Sequence, residues 1–352
     1  MRLLHIIYIF VLSLCCLPSA ATISFRLMKG FPHDEAGIEK GVSACYAGRI
    51  GSTLIMAGGC NFPDKPVAEG GAKRYYHGIY AARISKRDTL RWQKVGDLPA
   101  EAAYGVSVST DDAVVCVGGN NAHKSLTTVI KIRLAGGKAV IDTLPSLPCP
   151  MDNFTGALDG SCLLVRGAGG VYTLDMKNPA SGWKHRWAAT ETLMQPVSAV
   201  CSGRFFVWGG FTPKQADKSA TLSLDGTEYG ATPCPAAGPV DEHGEKVFLG
   251  GACAVNLSPE RVLAMGGVNK DVFLKAINNS EPGYLTHPAE WYRFNPKLCL
   301  FEKGRWKIIG SSPITARAGA AAVVYKHDVF LIGGELKPSI RTPDIYRITI
   351  KK

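Results

Sequence analysis

What the chain lacks narrows its chemistry before anything present in it does. Its 352 residues contain no GxxxxGK[ST] phosphate loop, no GxGxxG turn, no HExxH pair, no GxSxG elbow and no CxxC pair. Nucleotide binding through a glycine-rich cradle, zinc hydrolysis and serine-hydrolase chemistry therefore have none of their usual residues. The eight histidines are dispersed, so no metal site is expected, and no segment sustains a helical period, so no helix is expected either. Long apolar runs are also missing. The longest, IIYIFVLSLCCL at 6–17, is too short for a comfortable membrane span. It follows Met1-Arg2 and precedes PSAAT, the arrangement of a secretory leader, so residues 1–21 read as a signal peptide and 22–352 as one mature domain bound for the periplasm. Lipid attachment at Cys15 or Cys16 would put Leu14 or Cys15 where a small residue is usual. Two of the eleven cysteines lie in the leader, and the other nine are scattered, a pattern of small core residues more than of a disulfide framework. Net charge is +11, but the basic residues are dispersed and not interleaved with aromatics, which gives a general attraction to anions and no nucleic-acid footprint.

What is present is a repeat. An apolar strand ending in two glycines recurs as TLIMAGG to Gly59, AVVCVGG to Gly119, RFFVWGG to Gly210, RVLAMGG to Gly267 and VFLIGG to Gly334, with LLVRGAGG to Gly170 as an altered copy. Each follows a strand of small residues, such as GVSACYAG or AGAAAVVY. Small residues first and bulkier apolar ones second suit strands converging on a crowded axis. A third strand repeats around Tyr80, Tyr172 and Tyr346, and a fourth around Trp92, Trp187 and Trp306. Six units of four short strands describe an all-β, six-bladed β-propeller. The last unit stops after three strands, and ISFRLMKGFP near the mature N-terminus supplies the missing fourth, so the N-terminal strand is expected to join the C-terminal blade and close the ring.

Six equivalent glycine pairs at strand ends point to backbone geometry, positive φ and close approach, and not to phosphate binding. Strand order directs attention to one face, where the turns between second and third strands meet the connections to the next blade. Two long loops lie there, Cys60 to Tyr76 and Val268 to about Glu290, and long polar loops above an axis are where a ligand site is built. Asn61, Lys65, Arg74 and His77 belong to the first or border it, as Asn269, His287, Glu290 and Arg293 do the second. Arg317, at the start of an inner strand, is a further candidate, since a planar guanidinium there could hold a carboxylate in two bonds; the alternative is a rim salt bridge. Asn61, Asn120 and Asn269 follow glycine pairs, where they are either ligand contacts or ordinary turn formers.

The glycine, tyrosine and tryptophan positions resemble the kelch repeat over nearly the whole mature chain. A narrower stretch, GGCNFPDKPVAEGGAKRYYHGIY at 58–80, is similar to the signature loop of bacterial N-acetylneuraminate epimerases, the cyclically permuted mutarotases. That resemblance implies an exported isomerase that interconverts the α and β anomers of sialic acid without metal or cofactor, acting on a small sugar acid. It further implies a glutamate base in the long fifth-blade loop beside a histidine, which falls here on Glu290 of His287-Pro288-Ala289-Glu290, with His287 assisting and Arg317 and Lys65 among the cations for the substrate carboxylate. The rival readings are a non-catalytic kelch platform for glycan or protein, and a mutarotase for another sugar.

Overall fold

Small side chains on one strand and bulky ones on the next allow six sheets to crowd round a common axis, and the chain folds in this way. In the computed structural model residues 22–351 are described; the leader expected over 1–21 lies outside them. Six antiparallel sheets of four strands form the blades. Their innermost strands are Tyr46–Ile50, Val106–Ser109, Thr155–Asp159, Val197–Cys201, Ala252–Ser258 and Ala321–Tyr325. Each packs on the next, and the sixth returns to the first. Gly48, Ser107, Gly156 and Ala322 are among the small residues lining the axis. Second strands such as Thr53–Ala57 and Asp328–Ile332 carry the core, with Leu54, Ile55, Met56, Phe330 and Ile332 at most 1% exposed. Each such side chain contributes about 1.5–3 kcal/mol by burial.

The ring closes as the sequence predicts. Thr22–Met28 pairs antiparallel with Ile345–Lys351, Thr22 opposite Lys351 and Met28 opposite Ile345, so the two ends of the domain complete the sixth blade. Both glycines of the pairs take positive φ, for example 60° and 96° at Gly58 and Gly59. The reason is contact with the next blade. Gly59 N–H donates to Ala102 O at 2.8 Å, and a Cβ on Gly58 would meet that same oxygen at 2.3 Å. Gly334 likewise donates to Val42 O at 2.9 Å. The pairs are staples between blades.

Two expectations need correction. In blade three the second strand runs Cys162–Gly167 and the third begins at Gly170, so Gly167-Ala168 stands where other blades have their pair, and Gly169-Gly170 belongs to a tight hairpin. The described residues also contain one α-helix, Lys270–Asn279, inside the fifth-blade insertion. Asn269 caps it by accepting from Asp271 N and Val272 N, and Val272, Phe273 and Ile277 form the apolar stripe that packs near Phe211. Ten residues inside a polar loop give too few turns for the period to show in the sequence. All nine cysteines among the described residues are free thiols, and five of them, Cys45, Cys60, Cys116, Cys201 and Cys299, are buried. No described helix is long and apolar enough to cross a membrane.

Candidate functional site

Just before each inner strand one residue adopts a left-handed conformation: Ala44, Tyr104, Asn153, Gln195, Gly251 and Gly319, with φ between 52° and 71°. Their amides form a closed circle. Ala44 N–H donates to Gly319 O (2.7 Å), Tyr104 to Ala44 (2.9 Å), Asn153 to Tyr104 (2.8 Å), Gln195 to Asn153 (2.6 Å), Gly251 to Gln195 (3.0 Å) and Gly319 to Gly251 (2.8 Å). Six hydrogen bonds thus belt the axis and satisfy backbone groups at the mouth of the channel. The same residues line a well of about 200 Å³ on the face that carries the long loops. Around it the belt is uneven: Gly251, Gly319 and Ala44 leave one side open, while Tyr104, Asn153 and Gln195 fill the other with polar groups.

Glu335 stands in the wall of this well on the open side. It follows the sixth glycine pair directly and sits in a short hairpin of Glu335–Lys337 and Ile340–Arg341, in which it lies opposite Arg341. Cross-strand partners share a face. Arg341 Nη1 accordingly lies 3.0 Å from Glu335 Oε2, with side chains only 4% and 22% exposed. The contact is chiefly an ion pair, and Nη1 is itself buried with no other partner. Arg341 Nε donates to the buried Ser43 Oγ at 2.8 Å, its guanidinium lies 5.3 Å from the Phe62 ring centre, and Ser339 N–H donates to Glu335 Oε1 at 3.1 Å. Burial raises the Glu335 carboxyl above its ordinary value, and Arg341 and the Ser339 amide only partly oppose it. Tyr104 is also raised, by burial and then by the nearby Cys60, so its phenol keeps its proton. Lys73 Nζ approaches that phenol at 3.4 Å and hangs over Phe62, Tyr75 and Tyr104 at 5.1–5.9 Å. No carboxylate pairs with it among the described residues.

The residues singled out from the sequence are distributed differently. Glu290 is exposed in a 3-10 turn, Ala289–Tyr292, and is not among the groups lining the well. His287 stacks on Trp291 at 3.9 Å, and its carbonyl accepts from Lys337 Nζ, so the fifth-blade loop rests against the Glu335 hairpin. Arg317 is buried with Nε on Ile314 O and Nη1 on Gly333 O; it holds neither a rim carboxylate nor a cavity position. The structure does not bring Glu290 and Arg317 to one cavity. Asn61 ties Gly37 O and Gly41 O together and accepts from Tyr76, a structural link between segments distant in sequence, and Asn269 is the helix cap. His77 lies between Glu35 at 3.0 Å and Asp97 at 3.3 Å on the rim of blade one. Arg74 donates to Ala36 O and faces Asp64, while Lys65 and Arg293 are exposed. Asn120 keeps a ligand-contact reading, because its Oδ1 is buried without a partner at the position Glu335 holds in blade six. Glu335 itself was legible in one respect: the residues after the glycine pairs are Cys60, Asn120, Phe211, Val268 and Glu335, and only the last carries charge.

A closed six-bladed kelch-type propeller with a carboxylate in the wall of its axial well, paired to a buried guanidinium, is the class that fold and site define. The profile of the N-acetylneuraminate epimerase family matches residues 17–141 and 144–352, and the chain belongs to that family. It is 30% identical over 229 residues to an N-acetylneuraminate epimerase of Salmonella enteritidis and 30% identical over 227 residues to one of Haemophilus influenzae. These matches cover 58% of this chain in each case, and 58% and 59% of the relatives, so the chain spans less than two thirds of the curated relatives' length.

Proposed function

We propose that the protein is an isomerase that equilibrates the α and β anomers of N-acetylneuraminate, with Glu335 as the base. The observation that carries this is Glu335 in the wall of the axial well, paired with the buried Arg341. Mutarotation of a cyclic 2-keto acid needs a proton taken from the anomeric hydroxyl while the bond from that carbon to the ring oxygen breaks. The ring oxygen then takes up a proton and becomes a hydroxyl, leaving an open-chain ketone that recloses from its other face. Glu335 can accept the first proton and return it to the departing oxygen, so the exchange balances without redox change or cofactor. A raised carboxyl suits this role, because a stronger base at working pH removes a hydroxyl proton more readily. Arg341, paired with Glu335, keeps that carboxyl lower than burial alone would set it, so the base can ionise. Lys73, on its aromatic platform, is the cation placed to receive the sugar's carboxylate.

The leader-like segment at 1–21 supports export to the periplasm. A non-catalytic kelch platform would favour a flat apolar face, and a well with buried charge in its wall speaks against that rival. A related neutral sugar as substrate is disfavoured by the unpaired Lys73. Proton NMR of α-N-acetylneuraminate freshly released by a sialidase tests the reading. Faster appearance of the β anomer with protein is expected, and an unchanged rate overturns it.

A further inference from the structure

Two of the six belt positions are glycine, Gly251 and Gly319, where a left-handed backbone is unstrained. Asn153 and Gln195 occupy the equivalent positions in blades three and four at φ 52° and 54°. Asparagine tolerates this conformation, and glutamine does so at a cost that glycine would avoid. Their side chains line the same well as Glu335. Gln195 Nε2 donates to Asn153 Oδ1 at 3.0 Å, and Asn153 Nδ2 donates to Asp152 Oδ1 at 2.6 Å. Asp152 Oδ2 accepts from Ser125. This chain of bonds fixes the amides and leaves Gln195 Oε1 lying above Gly251, 3.2 Å from where a Cβ there would stand. A strained residue held in place by a network, with an acceptor turned to a cavity, is placed for a ligand.

We infer that Asn153 and Gln195 form a subsite for the hydroxylated tail of the substrate. The inference rests on the epimerase reading, which puts the reacting carbon beside Glu335. A sugar lying across the well then directs the end remote from that carbon toward blades three and four. Neutral amides, each both donor and acceptor, match vicinal hydroxyls and would not attract a charged group.

Calorimetric binding of two sugars to two proteins tests it: N-acetylneuraminate and its seven-carbon analogue, made from the methyl glycoside by mild periodate cleavage, borohydride reduction and acid release, against the unmodified protein and Gln195→Gly. Glycine is compatible with the local φ, so the melting temperature of the variant should not fall, and Asn153→Gly serves as a second variant. About tenfold weaker binding of the full-length sugar is expected, the worth of one or two hydrogen bonds, with both proteins binding the shortened sugar alike. Equal losses on both sugars, or no loss on either, overturn the subsite. Anomerisation rates are read in parallel. A flat rate beside tail-dependent binding would sink the epimerase reading while leaving the subsite supported.

Discussion

Replacing Arg341 with methionine keeps most of the stem and removes the cation 3.0 Å from Glu335. A unit charge at that distance is worth about 5 kcal/mol at an effective dielectric of about 20, before water returns to the site. Removing one partner of a buried pair costs about 3–5 kcal/mol in comparable cases, and the 4% and 22% exposures put this pair in that regime. We therefore expect a loss of about 3 kcal/mol near neutral pH. The sign with pH follows from the carboxyl. Glu335 is already raised in the folded protein, so its contribution to stability is present in acid and is lost as pH rises from the unfolded value through the folded one. Without Arg341, which lowers it, the folded value climbs further. The deficit of the variant should thus be small in acid, where Glu335 is neutral, and grow toward neutral pH. Activity needs the ionised base, so the acid limb of kcat/KM should move to higher pH. Urea unfolding and anomerisation measured from about pH 5 to pH 9 would show both effects. A pH-independent deficit with an unmoved acid limb would refute the coupling between these residues.

Other consequences are as direct. Lys73→Gln should raise KM for N-acetylneuraminate by about tenfold, one charge-assisted contact, while its effect on the methyl ester of the same sugar should be slight; equal effects on acid and ester would remove Lys73 from the carboxylate site. Deleting residues 22–28 strips a whole strand from blade six and exposes the edge of Ile345–Lys351. Three apolar side chains, Ile23, Phe25 and Met28, lose their packing, so the domain should lose about 5 kcal/mol and melt about 10 °C lower or more; a calorimetric scan with an unchanged midpoint would contradict the closure. Gly58→Ala places a Cβ 2.3 Å from Ala102 O at φ 60° and should cost about 2 kcal/mol or more by urea titration.

The fold was readable because each blade repeats the same steric requirement: small residues at the axis, bulky ones behind, and two glycines where the next blade's carbonyl comes close. Closure by the N-terminal strand was readable for a similar reason, since the last blade is one strand short. Blade three misled because its glycines serve a hairpin, which the pattern alone does not separate from a staple. The site was harder. Long loops drew attention to Glu290 and His287, whereas the well is lined from the belt and from a short hairpin. Asn61, Asn269 and Arg317 bear groups suited to chemistry that the structure turns onto backbone carbonyls and amides. Partners so distant in sequence, such as Arg341 and Ser43, meet only because the ring closes between blades six and one.

The central claim is that the chemistry belongs to Glu335 and not to the exposed loop glutamate. Proton NMR of the α anomer, with Glu335→Gln and Glu290→Gln compared at equal protein concentration, tests it most directly. Loss of about a hundredfold or more in rate is expected for Glu335→Gln, the scale of a general base, with Glu290→Gln close to the unmodified protein. A Glu335→Gln protein that equilibrates the anomers at the full rate, or a Glu290→Gln protein that fails to, would contradict the account.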